Sequence, residues 1–218
     1  MLEAARGLAS CAEEIIEKEL QANPDYELVL VGHSLGGSVA AILGTLWADK
    51  FGFANISVFA FGAACVFPLD DCSRELEEKG LKIFTVLLDG DPFSSLSLGH
   101  VAEVIFALDY LCQDPELRST VLMRTDGTTE QLDERDLEWC SERMEEIRDK
   151  AATEKLFPPG RLIFLPYKKK GHDKRKIREV SPAFFQYWVP GFDLSRHVPR
   201  LYEAKLKQAL AASYRHPK

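Results

Sequence analysis

Apolar residues follow two alternating rhythms over the first ninety positions. Residues 2 to 21, LEAARGLASCAEEIIEKELQ, set apolar side chains at helical spacing among charged ones and stop before Asn23-Pro24, which predicts an amphipathic helix. Tyr26 to Val31 then form a short, almost wholly apolar run of strand length, and residues 35 to 51 return to a helical pattern rich in small residues. NISVFAFG (55 to 62) and LKIFTVLL (81 to 88) repeat the strand signal, separated by a charged helix around Asp70 to Lys79 that Gly80 closes. Continuous apolar strands alternating with amphipathic helices predict a parallel sheet with helices on both faces.

The rhythm breaks between about residues 95 and 156, where one apolar helix (about 100 to 112), a polar loop and an acidic helix (about 133 to 154) stand without a strand. This stretch reads as an insertion within a single domain spanning 1–218. FPPGRLIFLPY restores the pattern with a fourth strand at 161 to 167, after which come a basic loop, KKKGHDKRKIR, and a terminal helix from about Pro199 to Tyr214. Four strands make a short sheet for this class, and the sequence opens directly on a helix; the expectation is that N-terminal strands are missing.

Composition narrows the function classes. The hydrophobic fraction is 46% and the charged fraction 28%, ordinary for a globular chain of 218 residues. With 27 basic and 34 acidic residues the formal charge is −7, so the chain as a whole is not built for nucleic acid. Cys11, Cys65, Cys72, Cys112 and Cys140 are odd in number and irregularly spaced, with no metal-ligand pattern; they read as reduced thiols, and no metal or cofactor is expected. The N-terminal residues lack a signal peptide's basic and apolar regions, and the most apolar window, Leu28 to Ala48, is interrupted by His33, Ser34 and glycines. The expected location is cytoplasmic or peripheral to a membrane.

The chemistry starts inside VLVGHSLGGSVAAIL (29 to 43). Gly32-His33-Ser34-Leu35-Gly36 is a G-x-S-x-G pattern between an apolar strand and a helix, the context in which such a serine is a nucleophile on a tight elbow. Gly32 and Gly36 let strand and helix approach each other, and the Leu35 N–H, at the positive end of the helix, is placed to stabilise an oxyanion. A serine needs a general base, and the base needs a carboxylate to fix its tautomer. In this architecture they follow in the order serine, acid, histidine, each beyond the carboxyl end of a strand. The third strand ends in DGDPF, which offers Asp91 and Asp89, with Asp91 preferred because it lies further into the loop ahead of Pro92. Among five histidines, His33 adjoins the serine and is expected to point away from it, and His100 precedes the last strand. His172 lies in a lysine-rich loop and His216 beside the terminus, which leaves His197 as the base.

These segments resemble the class 3 lipases, in particular the branch containing the sn-1-specific diacylglycerol lipases. The likeness rests on VLVGHSLGGSVAAILG, on a strand ending in GDPF, on LFPPGRLIF, and on SPAFF with LSRHVPRLYEAKL, which is similar to an SPxM...DHxPxxY segment. The resemblance implies an α/β-hydrolase fold, a glycerolipid ester as substrate, and Ser34, Asp91 and His197 as nucleophile, acid and base. It also implies a second oxyanion donor on an RGT-like stretch that does not precede Ser34 here, which suggests a portion of a longer lipase. Two further features bear on lipid access. Lys168, Lys169, Lys170, Lys174, Arg175, Lys176 and Arg178 cluster in one loop suited to an anionic membrane surface, and the insertion sits where diacylglycerol lipases carry a regulatory loop. The alternatives are a lipase-like domain that binds lipid or a partner protein without turnover, and an acyltransferase that uses the same triad.

Overall fold

The apolar runs assemble into one five-stranded sheet of order β1-β2-β3-β4-β5: β1 (Leu28–His33), β2 (Ile56–Phe61), β3 (Lys82–Leu88), β4 (Arg161–Leu165) and β5 (Arg178–Val180). The first four pair in parallel and β5 runs antiparallel to β4. The structure is a computed structural model that describes residues 1–69, 72–113, 115, 142, 145, 146, 149, 154–167, 177–185 and 193–215. These fall into two compact units, Met1–Ser97 with Leu156–Lys218, and Leu98–Lys155.

Strand register decides what the two faces of the sheet carry. Leu30 lies opposite Val58 and Val58 opposite Ile83, so their side chains form one apolar row. Against that row pack Val39, Leu43 and Trp47 of α2 (Leu35–Phe51), which is in turn backed by Ala5, Ala9 and Ile16 of α1 (Leu2–Ala22). A polar latch joins the two helices: Glu13 accepts from Trp47 Nε1 at 3.1 Å and pairs with Lys50 at 2.6 Å. A short helix, α3 (Cys72–Glu78), adds Leu76 to the same core.

The opposite face carries Val86, Leu88 and Leu165, covered by Leu201, Tyr202 and Leu206 of the terminal helix. Helices therefore lie on both faces of the sheet. β1 is an edge strand among the described residues, and its outward Val29 and Val31 are 52% and 65% exposed. In the second unit α4 (Leu98–Gln113) is held by an ion pair between Glu103 and Lys155 at 2.5 Å. The terminal helix, α5, spans Pro199–Arg215.

Most expected elements appear within two residues of their sequence bounds. β5 was not expected. It is polar and only three residues long, fastened to β4 where Arg161 grips the Glu179 carboxylate through two N–H donors at 2.9 and 2.7 Å. Residues 168–176 of the basic loop and nearly all of the expected acidic helix at 133–154 lie outside the described residues, and Arg178, expected in that loop, belongs instead to β5. Among the described residues, no helix is long and apolar enough to cross a membrane.

Candidate active site

β1, β3 and the segment leading into α5 deliver three side chains to one edge of the sheet, beyond the carboxyl ends of the parallel strands. Ser34 follows the last residue of β1 and precedes the first of α2. Its φ of 55° makes it the non-glycine residue with left-handed backbone among those described. A serine in that region stores about 1–3 kcal/mol of strain, which the surroundings must hold in place. They do so by hydrogen bonds: Ser34 N donates to Phe61 O at 2.9 Å, and its carbonyl accepts from Gly37 N at 3.0 Å and Ser38 N at 3.2 Å.

The strand and helix that flank this turn approach closely. A Cβ on Gly32 would lie 2.2 Å from Gly36 O and 2.5 Å from Gly37 N, so only glycine fits there. Gly36 is different, because a Cβ added to it meets nothing within 4 Å. The expectation that Gly36 must be small for the strand and helix to approach is therefore corrected: the close contact falls on the backbone of Gly36, while its missing side chain faces open space. Leu35 opens α2, so its N–H is one of the first-turn donors without an intrahelical acceptor.

His197 joins the elbow to the acid. Its Nε2 lies 2.7 Å from Ser34 Oγ and its Nδ1 lies 2.8 Å from Asp91 Oδ2. Asp91, not Asp89, makes this contact; Asp89 turns its Oδ2 toward Tyr167 N, at 3.4 Å. The Asp91 side chain is wholly buried and that of His197 is 15% exposed, so the Asp91 end of the line is shut off from solvent while the His197 ring borders it. Asp91 is shaped by its own loop, with N–H donation to Leu88 O at 2.9 Å and Oδ1 accepting from Phe93 N at 2.9 Å. Pro92 opens the 3-10 turn that follows, as its fixed φ favours.

Three neighbours complete the site: Tyr202 and Phe93 escaped the sequence reading, and His33 departs from it. Tyr202, on the first turn of α5 and 2% exposed, donates its hydroxyl to Asp91 Oδ2 at 2.5 Å and accepts from Leu88 N at 3.3 Å. Burial and then the Asp91 charge push its phenol pKa up, so it remains a donor. Phe93 packs on the His197 ring with centroids 4.0 Å apart. His33 does not point away: its ring lies 4.7 Å from that of His197 and 5.9 Å from that of Tyr202. Its pKa is lowered, first by burial and then by the neighbouring His197. Tyr202 and His33 fall within quoted motifs, but nothing in the sequence says that they meet.

The geometry gives His197 the means to take a proton from Ser34 while Asp91 holds its ring. A serine elbow between strand and helix, followed in chain order by acid and histidine at the carboxyl edge of a mostly parallel sheet, is the α/β-hydrolase arrangement. Lys168, Lys169, Lys170, Lys174, Arg175 and Lys176 lie outside the described residues.

Part of the chain is similar to known proteins. A lipase from Rhizopus microsporus var. chinensis matches with 20% identity and a TM-score of 0.41, over 44% of this chain and 34% of its own. Lipase II from Rhizopus niveus matches with 22% identity and a TM-score of 0.36, over 40% and 34%. The triacylglyceride lipase of Rhizomucor miehei matches with 18% identity and a TM-score of 0.39, over 44% and 37%. The chain thus spans little more than a third of each solved lipase. The family model described as lipase (class 3) matches residues 1–100, the part that holds the serine elbow and Asp91 and stops short of His197.

Proposed function

We propose that this protein is a serine hydrolase that cleaves a carboxylic ester of a glycerolipid, diacylglycerol or triacylglycerol, through an acyl-enzyme. The observation that carries this reading is the hydrogen-bonded line Ser34 Oγ, His197 Nε2 and Nδ1, Asp91 Oδ2, set on a strained elbow. The class 3 lipase match over residues 1–100 supports a lipid ester as the substrate class.

In this mechanism His197 Nε2 takes the Ser34 hydroxyl proton as Oγ attacks the ester carbonyl carbon, and the carbonyl π electrons move onto oxygen. The Leu35 N–H receives that oxyanion at the α2 N-terminus. Collapse breaks the C–O bond to the alcohol, which leaves with the proton held on His197, and Ser34 is acylated. Water then repeats the cycle: it gives a proton to His197, attacks the acyl carbon and releases the fatty acid, while the proton returns to Ser34 Oγ. Asp91 holds the Nδ1–H and offsets the imidazolium charge, and Tyr202 holds Asp91. Passing the acyl group to an alcohol instead of water would give the acyltransferase variant of the same scheme.

Hydrolysis of dioleoylglycerol and of p-nitrophenyl butyrate by the full-length protein, with Ser34→Ala alongside, tests the reading. Fatty-acid release by the parent, reduced at least about a thousandfold in Ser34→Ala, supports it. Release unaffected by the substitution would refute it.

A second reading, a lipase-like domain that binds lipid or a partner without turnover, draws on the exposed Val29 and Val31 of the edge strand. Equal liposome binding by parent and Ser34→Ala, with no ester cleaved by either, would favour it. Peripheral membrane contact through Lys168, Lys169, Lys170, Lys174, Arg175 and Lys176 belongs to the proposal as well. It is checked by vesicle flotation of a chain with those residues replaced by glutamine.

A further inference from the structure

The acid and the histidine of the site ride on loops far apart in the chain, and the bond between them requires those loops to hold a fixed separation. Each loop is braced locally: Asp89 N donates to Leu165 O, Asp91 N to Leu88 O and Arg196 N to Asp193 O, all at 2.9 Å. These bonds tie the acid turn to β3 and β4 and the histidine turn to itself, but do not join the two turns. Arg196, immediately before His197, does join them. Its Nη1 donates to the carbonyl of Asp89 at 2.8 Å, and its Nε donates to Asp193 Oδ2 at 3.0 Å. Its guanidinium carbon lies 4.5 Å from the centre of the Tyr167 ring, on the strand exit where Tyr167 N meets Asp89 Oδ2. The Arg196 side chain is only 17% exposed, while its partner Asp193 is 44% exposed, so the contact to the Asp89 carbonyl is the better shielded of the two. Gly90 makes room for it: with φ of 82°, a Cβ there would stand 2.1 Å from Arg196 Nη1.

We infer that Arg196 is a positioning residue that clamps the Asp89–Gly90–Asp91 turn to the Leu194–His197 turn and thereby sets the Asp91–His197 distance. The clamp needs a planar donor fork that can bond a carbonyl and a carboxylate at once while stacking on an aromatic ring, which arginine offers and lysine does not. It touches no reacting atom and acts through Asp91 and His197. The inference rests on the hydrolase reading for its effect on rate, though not for its effect on the hydrogen bond.

Arg196→Met in the full chain removes the donors and keeps most of the volume. Two readouts are needed: the rate at which a fluorophosphonate modifies Ser34, and the low-field proton resonance of the His197 Nδ1–H. The expected result is a rate about 10- to 100-fold lower, since a misplacement near 1 Å costs up to that much, together with loss of the low-field resonance. Arg196→Lys, which retains one donor, is expected to recover part of both, and added ethylguanidinium is expected to accelerate Arg196→Ala but not His197→Ala. A merely structural role would lower the melting temperature without guanidinium rescue. A rate within twofold of the parent and an intact resonance in Arg196→Met would overturn the inference. If the resonance disappears as expected while neither parent nor variant is labelled, the clamp stands and the hydrolase reading falls.

Discussion

Replacing Gly32 by alanine sets a methyl carbon 2.2 Å from Gly36 O, 2.3 Å from Gly36 C and 2.5 Å from Gly37 N. Carbon contacts are most favourable at about 3.5–4.0 Å, so each of these lies deep in the repulsive range. All three partners are backbone atoms, and no side-chain rotation relieves them. Relief requires the start of α2 to move off β1 by more than an ångström. That motion would break the Phe61 bond to Ser34 and loosen Gly37 from Ala60 and Ala63, against which it packs. Overpacking that side chains can absorb costs about 1–3 kcal/mol, so we expect a loss of about 3 kcal/mol or more here, a large part of a typical total stability of about 5–15 kcal/mol. Gly36→Ala is the control, two positions beyond Ser34. Its Cβ meets no atom within 4 Å, and alanine in place of a helical glycine gains about 0.5–1 kcal/mol. Urea unfolding followed by far-ultraviolet circular dichroism reads both. Opposite signs are expected, and a Gly32→Ala midpoint equal to the parent's, or a Gly36→Ala loss above about 1 kcal/mol, would refute the reasoning.

Three other outcomes follow from the site and the core. Tyr202→Phe removes the donor to Asp91 and the acceptor of Leu88 N, and is expected to cost about 1.5–3 kcal/mol in urea unfolding and to slow ester cleavage; an unchanged midpoint would contradict it. Burial pushes the Cys65 thiol pKa up to about 12, whereas Cys11 is exposed. Iodoacetamide at pH 8 should therefore modify Cys11 and spare Cys65 until urea is added, as peptide mass mapping will show. His33 has its pKa held down by burial and by His197, so the unfolded chain binds a proton that the folded chain refuses. Stability is then lost as the pH falls through the ordinary histidine value near 6.5, and His33→Gln should show a smaller drop in melting temperature between pH 8 and 5.5 than the parent.

How much of this was legible in the sequence depends on whether a feature is set by local pattern or by assembly. β1 to β4 are nearly continuous apolar runs, the pattern that parallel sheets carry, and such runs are visible in one dimension. β5 was not, since Arg178, Glu179 and Val180 form a strand by pairing with β4 and by the Arg161 grip on Glu179. The serine elbow was legible because strand, glycine and helix are contiguous. The preference for Asp91 over Asp89 rested on loop position and Pro92, for both follow β3, and the reach of His197 is what separates them in the structure. The direction of His33 and the parts played by Tyr202 and Arg196 depend on loops more than a hundred residues apart in the chain meeting. No periodicity encodes that meeting.

The central claim is that Ser34 is a nucleophile activated by His197, and the most direct test is its covalent capture. The full-length protein is treated with a fluorophosphonate, digested, and the modified peptide sequenced by mass spectrometry, with His197→Ala treated in parallel. The expected result is a single adduct on Ser34 that forms at least about a thousandfold more slowly in His197→Ala. No adduct on Ser34, or one that forms equally fast without His197, would contradict the claim.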